Sequence, residues 1–472
     1  MEENILDSNS TKIKLIHFIG IGGISMSGLA EILINLGYKV SGSDLKESSI
    51  TQKLKNMGIE VYTGHSTENI KNPDLVVYTA AVKDNNPELL KARSLNITTM
   101  DRAALLGQIM KKYPYSIGVS GTHGKTTTTS MISMIMIESN LDPTIHIGGE
   151  LDYIGGTTRV GNSKFFVTEA CEYCDSFLKF FPYIAVILNI DLDHVDYFKD
   201  IEQIKDSFVN FASLVPKKGC VIACGNDSNI ISILDRITAP VVTYGLNNSN
   251  CMWSAENINY DISGCASFTL LKNGKEIDMI KLKVPGSHNV NNSLAAIATC
   301  YQLGCPISAI KQGLDKFIGT HRRFEQKGVY NGVAIIDDYA HHPSEIKATL
   351  KAAKNGHSSK IWCVFQPHTY TRTKSLLNEF ALSFSNADVI IVADIYAARE
   401  EDSGEINSQI LVEKINCSGG NAIYMNNFCD IANYLRDNAV PGDIVITMGA
   451  GDIYKVGEEL LKGTQTKKKA IV

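Results

Sequence analysis

The segment GVSGTHGKTTTTSM, Gly118 to Met131, decides the fold class. A strand, Tyr115–Ser120, ends in the glycine turn Gly121-Thr122-His123-Gly124, and a helical pattern follows through Ser139. A glycine-rich turn at a helix N-terminus lets backbone N–H groups converge on phosphate oxygens without side-chain interference. Lys125 is placed to reach terminal phosphates and Thr126 to offer its hydroxyl to Mg²⁺, with Thr127 beside them. Val119 stands six residues before Lys125, so the turn is two residues shorter than the common phosphate-loop spacing. Four successive threonines start a helix poorly, and a bound nucleotide gives them a reason. On this reading Lys125 is an exposed loop residue facing phosphate rather than core.

The strand–turn–helix rhythm continues on both sides. Before it come a strand at Ile13–Phe18, a second glycine cluster, a helix at Met26–Leu36, and a short strand at Lys39–Ser41. A helix at Ser49–Asn56 and a strand at Leu75–Thr79 complete that unit. After it come strands at Phe165–Thr168 and Ile184–Leu188, a helix over 202–214, strands over 220–223 and 240–244, and an alternating, antiparallel-looking stretch from Trp253 to Val284. A helix over 288–303 and the polar string GTHRRFE close this unit. Further strands are expected at Val333–Ile336, Ile361–Phe365, Val389–Ala393, Ala422–Tyr424 and Ile444–Thr447, with helices between them. Strand–helix alternation implies parallel sheets with helical crossovers. The expected fold is therefore α/β with three domains in series: a Rossmann-like domain over 1–112, a central phosphate-loop ATPase-like domain over 113–325, and a second Rossmann-like domain over 326–472. A length of 472 residues accommodates three such units.

Composition narrows the function classes. Lys plus Arg number 45 against 50 Asp plus Glu, a net charge of −5, which gives no global nucleic-acid footprint. The basic run Lys467–Lys469 reads as a solvated tail. The polar start MEENILDSNSTK is unlike a secretory leader, and no apolar run approaches the ~18–20 residues that span a bilayer. A cytoplasmic protein with no membrane and no nucleic-acid partner is expected. Eleven scattered cysteines read as small hydrophobes in a reducing compartment. The pair Cys171 and Cys174 has redox or zinc spacing but lacks a second pair, so both are expected to pack around an acidic turn.

Candidate chemistry lies in the loops that follow strands. The cluster GIGGISMSG, Gly20 to Gly28, opens a helix after a strand, and Gly20, Gly22, Gly23 and Ser25 are candidates to hold a nucleotide pyrophosphate. Ser25 stands where a dinucleotide fingerprint needs glycine, and Asp44 follows at ribose-binding distance along the chain. EACEYCDSF carries Glu172, and NIDLDHVDYF carries Asp191, Asp193, His194 and Asp196, two clusters after successive strands where a Mg²⁺ on ATP would be held. For Asp191 and Asp196 solvated loop or capping roles are equally open. His288, Asn289 and Asn292 begin a helix, as caps or as readers of a base edge. Arg322 and Arg323 are a phosphate clamp or a solvated surface. DDYAHHPSE supplies His341 and His342, and QPHTYTRT supplies His368 and Arg372, all placed for substrate contact at strand C-termini.

In this order, GIGGISMSG, GTHGKTTTT, EACEY, NIDLDHVDY, GSHNVNN, GTHRRFE, DDYAHHPSE and QPHTYTRT resemble the Mur ligase family over essentially the whole chain. The resemblance implies that the first domain binds a UDP-sugar, the central one ATP and the last an amino acid. It implies ATP-dependent joining of L-alanine to the lactyl carboxylate of UDP-N-acetylmuramate through an acyl phosphate, a step of peptidoglycan precursor synthesis. The alternative within the family is the murein peptide ligase reaction on a preformed peptide. The resemblance assigns Lys125 and Thr126 to ATP phosphate and Mg²⁺, Glu172 and His194 to metal ions, and Asn289 and Asn292 to adenine. It further assigns Arg323 to a phosphate and His341 and Arg372 to the reacting substrates, with His341 as candidate general base. An NAD-dependent oxidoreductase argued from Gly20–Gly28 leaves the Gly121–Thr127 loop unexplained. A nucleotide-sensing module without turnover has no use for the loop at 337–345.

Overall fold

The computed structural model describes residues 6, 13–79, 81–354, 360–398, 400–402 and 404–468, with side chains of the last helix as far as 462. The N-terminal stretch apart from Leu6, and the side chains of Lys467–Lys469, lie outside the described residues. Among the described residues no helix is long and apolar enough to cross a membrane.

The first sheet holds β1 (Leu15–Ile19), β2 (Lys39–Asp44), β3 (Glu60–Thr63), β4 (Leu75–Tyr78) and β5 (Thr98–Asp101), all parallel, in the order β3-β2-β1-β4-β5. The order reverses at β1, so the turn Gly20–Gly23 opens at a topological switch point, where open parallel sheets take ligands. Strands β3 and β5 are half-exposed and carry no apolar run, which is why the sequence pattern misses them.

The central sheet has ten strands: β6 (Tyr115–Ser120), β7 (Thr144–Leu151), β8 (Gly156–Arg159), β9 (Phe165–Glu169), β10 (Ile184–Ile187), β11 (Cys220–Cys224), β12 (Val241–Leu246), β13 (Trp253–Tyr260), β14 (Cys265–Lys272) and β15 (Lys275–Pro285). Their order is β15-β14-β13-β12-β11-β10-β6-β9-β7-β8, parallel through the middle. The expected antiparallel stretch is the meander β13–β15, and β7–β8 is an antiparallel hairpin the sequence pattern does not reveal. The third sheet contains β16 (Glu325–Tyr330), β17 (Val333–Asp338), β18 (Ile361–Phe365), β19 (Val389–Val392), β20 (Ala422–Tyr424) and β21 (Ile444–Met448). Its order is β16-β17-β21-β18-β19-β20, with only β16 antiparallel.

One continuous buried core runs through the first and second sheets, a small separate cluster of Ile19, Ile70, Val76, Leu89 and Ala92 lies against the first sheet, and the third sheet has separate cores on its two faces. Glycines make the first junction possible. A Cβ on Gly28, in the helix Ile24–Asn35, would overlap Thr158 Oγ1 and the His146 ring, and one on Gly107 would overlap the Lys179 carbonyl oxygen. At this junction Arg102 donates to Ser25 Oγ (3.1 Å), and Ser25 in turn faces His146 Nε2 (2.8 Å). The ring is thus held between two hydroxyls, Ser25 Oγ at Nε2 and Thr158 Oγ1 at Nδ1 (3.2 Å). Burial, and then the Arg102 charge, push the His146 imidazole down to about 3.

That shift fixes a pH dependence. The unfolded ring titrates near 6.5, so below that pH the unfolded chain binds a proton the folded chain refuses. The stabilisation is complete above about 6.5 and is lost as pH falls towards 3. Between pH 6.5 and 5 this ring alone accounts for about 2 kcal/mol. His146→Gln is expected to flatten the unfolding midpoint against pH across that interval in urea titrations. An unchanged slope would refute the assignment.

Candidate active site

The phosphate loop sits between two neighbouring strand ends. Gly121 and Gly124 adopt φ of +141° and +85°; a Cβ on Gly124 would stand 2.6 Å from Asn292 Oδ1 and one on Gly121 2.9 Å from Leu188 Cβ. Both positions therefore need glycine for conformation and for space. The helix Lys125–Glu138 is almost wholly buried, and its hydroxyls bond back into it: Thr129 to the Lys125 carbonyl (2.7 Å), Ser130 to that of Thr126 (2.8 Å), Ser133 to that of Thr129 (2.7 Å). The threonine and serine run is thus compatible with a helix that has no water on most of its faces. The amides of Lys125, Thr126 and Thr127 have no intrahelical acceptor and are open to phosphate.

Lys125 is not the exposed residue the sequence reading expects. Its side chain is 17% exposed, and Nζ donates to the carbonyl oxygens of Gly121 and Thr122 and to both oxygens of Glu172 (3.2 and 3.0 Å). Burial works against its charge, but Glu172 more than offsets that and holds the ammonium well above its usual range. Glu172 is buried, and His194 Nε2 lies 3.7 Å from its Oε1, so Lys125, Glu172 and His194 form one group. His194 itself has φ of +52° and its ring packs on Tyr173 at 4.6 Å. Of the cysteine pair, Cys171 is half-buried, whereas Cys174 is exposed, with φ of +52°, and does not pack as expected. Neither joins a metal-competent group among the described residues.

The loop after β10 is stitched to the phosphate loop. Asn189 Oδ1 accepts from the His123 amide (2.8 Å), its Nδ2 donates to the His123 carbonyl (3.0 Å), and the Asp191 amide donates to Thr122 Oγ1 (2.9 Å). The third domain closes on this loop. Arg372 Nε and Nη2 both lie 3.0 Å from Asp193 Oδ1, Ser344 Oγ donates to Asp191 Oδ2 (2.6 Å), and His342 Nε2 donates to the Leu192 carbonyl (3.1 Å). His123 Nδ1 reaches Glu345 Oε1 (3.2 Å). Burial opposes charge on His123, but Asp191 and Glu345 outweigh it and hold the ring up at about 9. Burial also opposes ionisation of Asp193 and Glu345, and the surrounding cations hold both well below the carboxylate range.

His341 and His368 face each other near Arg372, with ring centroids 5.8 Å apart and His368 Nδ1 3.2 Å from Arg372 Nη1. Burial pushes each ring down to about 4, so both are neutral near pH 7. His341 Nδ1 faces the Tyr339 carbonyl (3.0 Å) and so carries the proton, which leaves Nε2 as an acceptor.

A cavity of 510 Å³ runs along this interface, lined by Gly124 and Thr127 on one side, His288, Asn289 and Asn292 on another, and Arg323 and Glu345 on a third. Asn292 Nδ2 donates to Asn289 Oδ1 (3.0 Å), and Asn289 Nδ2 to the Pro285 carbonyl (2.7 Å), so the two amides hold each other across the helix start. Burial pushes His288 down to about 4. The arginine pair divides: Arg323 lines the cavity, whereas Arg322 is tied to Asp337 (3.0 Å) and the Gly449 carbonyl (2.7 Å).

A second cavity of 580 Å³ lies in the first domain, lined by Gly20, Gly23, Asp44 and His65 among others. Gly22 donates its amide to Asp44 Oδ2 (2.9 Å), and a Cβ on Gly22 would stand 2.8 Å from that oxygen. Ser25 does not line this cavity; it is engaged at the junction with His146.

Three family models cover most of the chain: "Mur ligase family, catalytic domain" over 15–114, "Mur ligase middle domain" over 119–300 and "Mur ligase, glutamate ligase domain" over 322–451. The chain belongs to the Mur ligase family. A UDP-N-acetylmuramate–L-alanine ligase of Acetivibrio thermocellus is 63% identical over 462 residues, 98% of each chain. One of Clostridium tetani is 57% identical over 450 residues, covering 95% of this chain and 98% of its own. The crystal structure of the Thermotoga maritima UDP-N-acetylmuramate–alanine ligase superposes with a TM-score of 0.80 at 29% identity, covering 96% of this chain and 99% of that one. A murein peptide ligase of Psychrobacter arcticus superposes at 0.70 with 26% identity, covering 95% and 98%.

Sequence reasoning passed over several residues that knit this Mur ligase site together, Asn189, Ser344 and Glu345, and it grouped Asp193 with the metal cluster, whereas the structure pairs it with Arg372. All lie inside the quoted motifs. What no periodicity supplies is the partner, since Asp193 meets Arg372 across 179 residues and Asp191 meets Ser344 across 153.

Proposed function

We propose that this Mur ligase joins L-alanine to the lactyl carboxylate of UDP-N-acetylmuramate in the cytoplasm, converting ATP to ADP and phosphate. The observation that carries this reading is the 63% identity, over 98% of both chains, to a UDP-N-acetylmuramate–L-alanine ligase. Incubation with the three substrates should yield a UDP-sugar product heavier by one alanine residue in mass spectrometry. A product heavier by a whole peptide, when peptide is supplied instead, would favour the murein peptide ligase reaction.

In this scheme the domain over 1–112 holds the UDP-sugar, with Gly20, Gly22, Gly23 and Asp44 at its pyrophosphate and ribose and Ser25 at the edge of that turn. The domain over 113–325 holds ATP on Gly121, Thr122, His123, Gly124, Lys125, Thr126 and Thr127, with His288, Asn289 and Asn292 at the base and Arg323 at a phosphate. The domain over 326–472 brings His341, His342, His368 and Arg372 to the amino acid.

The donor set suits Mg²⁺. Glu172 is a buried carboxylate whose cationic neighbour, Lys125, has a side chain able to swing to an incoming phosphate, and Thr126, the next residue along the chain, adds a hydroxyl oxygen. Glu172, Thr126 and His194 would hold the ion, which supplies charge neutralisation on the transferring phosphoryl group.

The chemistry follows from the carboxylate's poor leaving group. The lactyl carboxylate oxygen attacks the γ-phosphorus, the bond to the bridging oxygen breaks, and an acyl phosphate and ADP result. Lys125 and Arg323 stabilise charge on the transferring group. Alanine's ammonium sheds a proton and its nitrogen attacks the acyl carbon; the tetrahedral adduct then expels phosphate. His341 Nε2 is the acceptor placed for that proton, and the anionic acyl phosphate arriving beside it raises its basicity.

Glu172→Gln and His194→Ala are expected to raise the Mg²⁺ concentration needed for half-maximal rate by about 10-fold or more, with little change in the KM for L-alanine. The opposite pattern, a raised alanine KM at an unchanged Mg²⁺ profile, would remove both from the metal site.

A further inference from the structure

His123 of the phosphate loop, Asp191 of the loop after β10 and His342 of the third domain each offer one ligand atom, and the three atoms lie within 4.8 Å of one another. This group is separate from the Lys125–Glu172–His194 set and comes from three different segments. The hydrogen bonds around each side chain show which atom is left for a ligand bond. His123 points Nδ1 at Glu345 Oε1 (3.2 Å), which leaves Nε2 facing Asp191 Oδ2 at 3.8 Å, too long for a hydrogen bond. That Nε2 atom is buried and has no hydrogen-bond partner. His342 donates Nε2–H to the Leu192 carbonyl (3.1 Å), so its lone pair is on Nδ1, which receives only a 3.3 Å bond from the Ser344 amide. Asp191 Oδ2 is fixed by the Ser344 hydroxyl (2.6 Å). Imidazoles whose second nitrogen donates to a carboxylate or a backbone carbonyl are the usual outer support of a bound metal.

We propose that His123, Asp191 and His342 form a binding site for a borderline divalent cation of the Zn²⁺ or Co²⁺ class, which fastens the third domain to the phosphate loop. Two imidazoles and one carboxylate suit such ions better than Mg²⁺, which prefers a mostly oxygen set such as Glu172 and Thr126 offer. Tetrahedral bonds of about 2.0–2.2 Å set ligand atoms roughly 3.3 Å apart, so side-chain rotation must draw the group together slightly, with a water as fourth ligand. The negative surround of Asp191 and Glu345 that favours a proton on His123 favours a dication in its place. An ion bound here bridges the two domains and occupies the approach to the phosphate loop.

Co²⁺ titrated into the full-length protein without Mg²⁺ or nucleotide, read by its visible absorption, tests the site. The wild type is expected to take up one ion with the intense bands of four-coordinate cobalt, and Zn²⁺ should displace it. Asp191→Asn and His342→Ala, on two different domains, should each weaken binding by at least about 10-fold, and Glu345→Gln, which removes only the support of His123, by about 10–100-fold. Glu172→Gln should bind Co²⁺ as the wild type does. Absence of the bands in the wild type, unchanged affinity in both Asp191→Asn and His342→Ala, or loss of binding in Glu172→Gln would each overturn the proposal. A circular-dichroism melt on every variant ensures that a lost signal reports the ligand and not the fold.

Discussion

Lys125→Ala is expected to lower the rate of ligation by at least about 100-fold, the scale on which one preorganised charge at a phosphoryl-transfer site contributes. The structure gives two separate reasons. Lys125 Nζ is bound to Glu172 and to two carbonyls of its own loop, so it is held within reach of the loop's centre. Removing it takes away a cation that phosphate would receive, and it also leaves Glu172, 2% exposed, without its ammonium partner. The second effect bears on stability, so the thermal midpoint should fall alongside turnover. Lys125→Arg, which keeps the charge, should restore part of the stability but little of the rate, because a planar guanidinium cannot satisfy the same loop carbonyls. Turnover within a few-fold of wild type in Lys125→Ala would exclude this loop as the phosphoryl-transfer site.

Arg372→Ala is expected to lower turnover by about 100-fold while leaving the affinity for UDP-N-acetylmuramate unchanged in calorimetric titration. Arg372 is 8% exposed and Asp193 6% exposed, and two guanidinium nitrogens meet one carboxylate oxygen across the domain boundary. Breaking a buried pair by deleting one member typically costs about 3–5 kcal/mol, because the other charge stays buried and uncompensated. Here that cost falls on the closed arrangement of the second and third domains, the state in which all three substrates can meet. The first domain, with its own cavity, has no part in it. Arg372→Ala combined with Asp193→Asn should recover domain closure better than either change alone. Weakened UDP-sugar binding with normal turnover would invert the assignment of the domains.

The parts of the fold legible in the sequence are those written in local chemistry. Strands β10 and β18 are continuous apolar runs buried on both faces, β6 is buried over Ser116–Ser120 and leads into the glycine turn, and all three fall where the pattern puts them. The half-buried edges are different: β16 reads EQKGVY and β8 reads GTTR, and neither carries a period strong enough to register. The same division holds in the site. Gly121, Gly124 and Lys125 are visible because a turn, a close approach and a charge must sit at fixed spacing. The roles of Asp191, Asp193 and Glu345 depend on which domain closes on them, and that is a property of tertiary packing. Arg322 and Arg323 make the point within one dipeptide: adjacent in sequence, one lines the cavity and the other ties β17 to the segment after β21.

The most direct test of the account is the substrate dependence of ADP release. The purified protein is given ATP, Mg²⁺ and UDP-N-acetylmuramate, and ADP is followed with L-alanine, with a preformed peptide that begins with L-alanine, or with neither. The account predicts sustained ADP release only with L-alanine, in amounts equal to the alanine incorporated. Sustained release with the peptide, or release that needs no UDP-N-acetylmuramate, would contradict it.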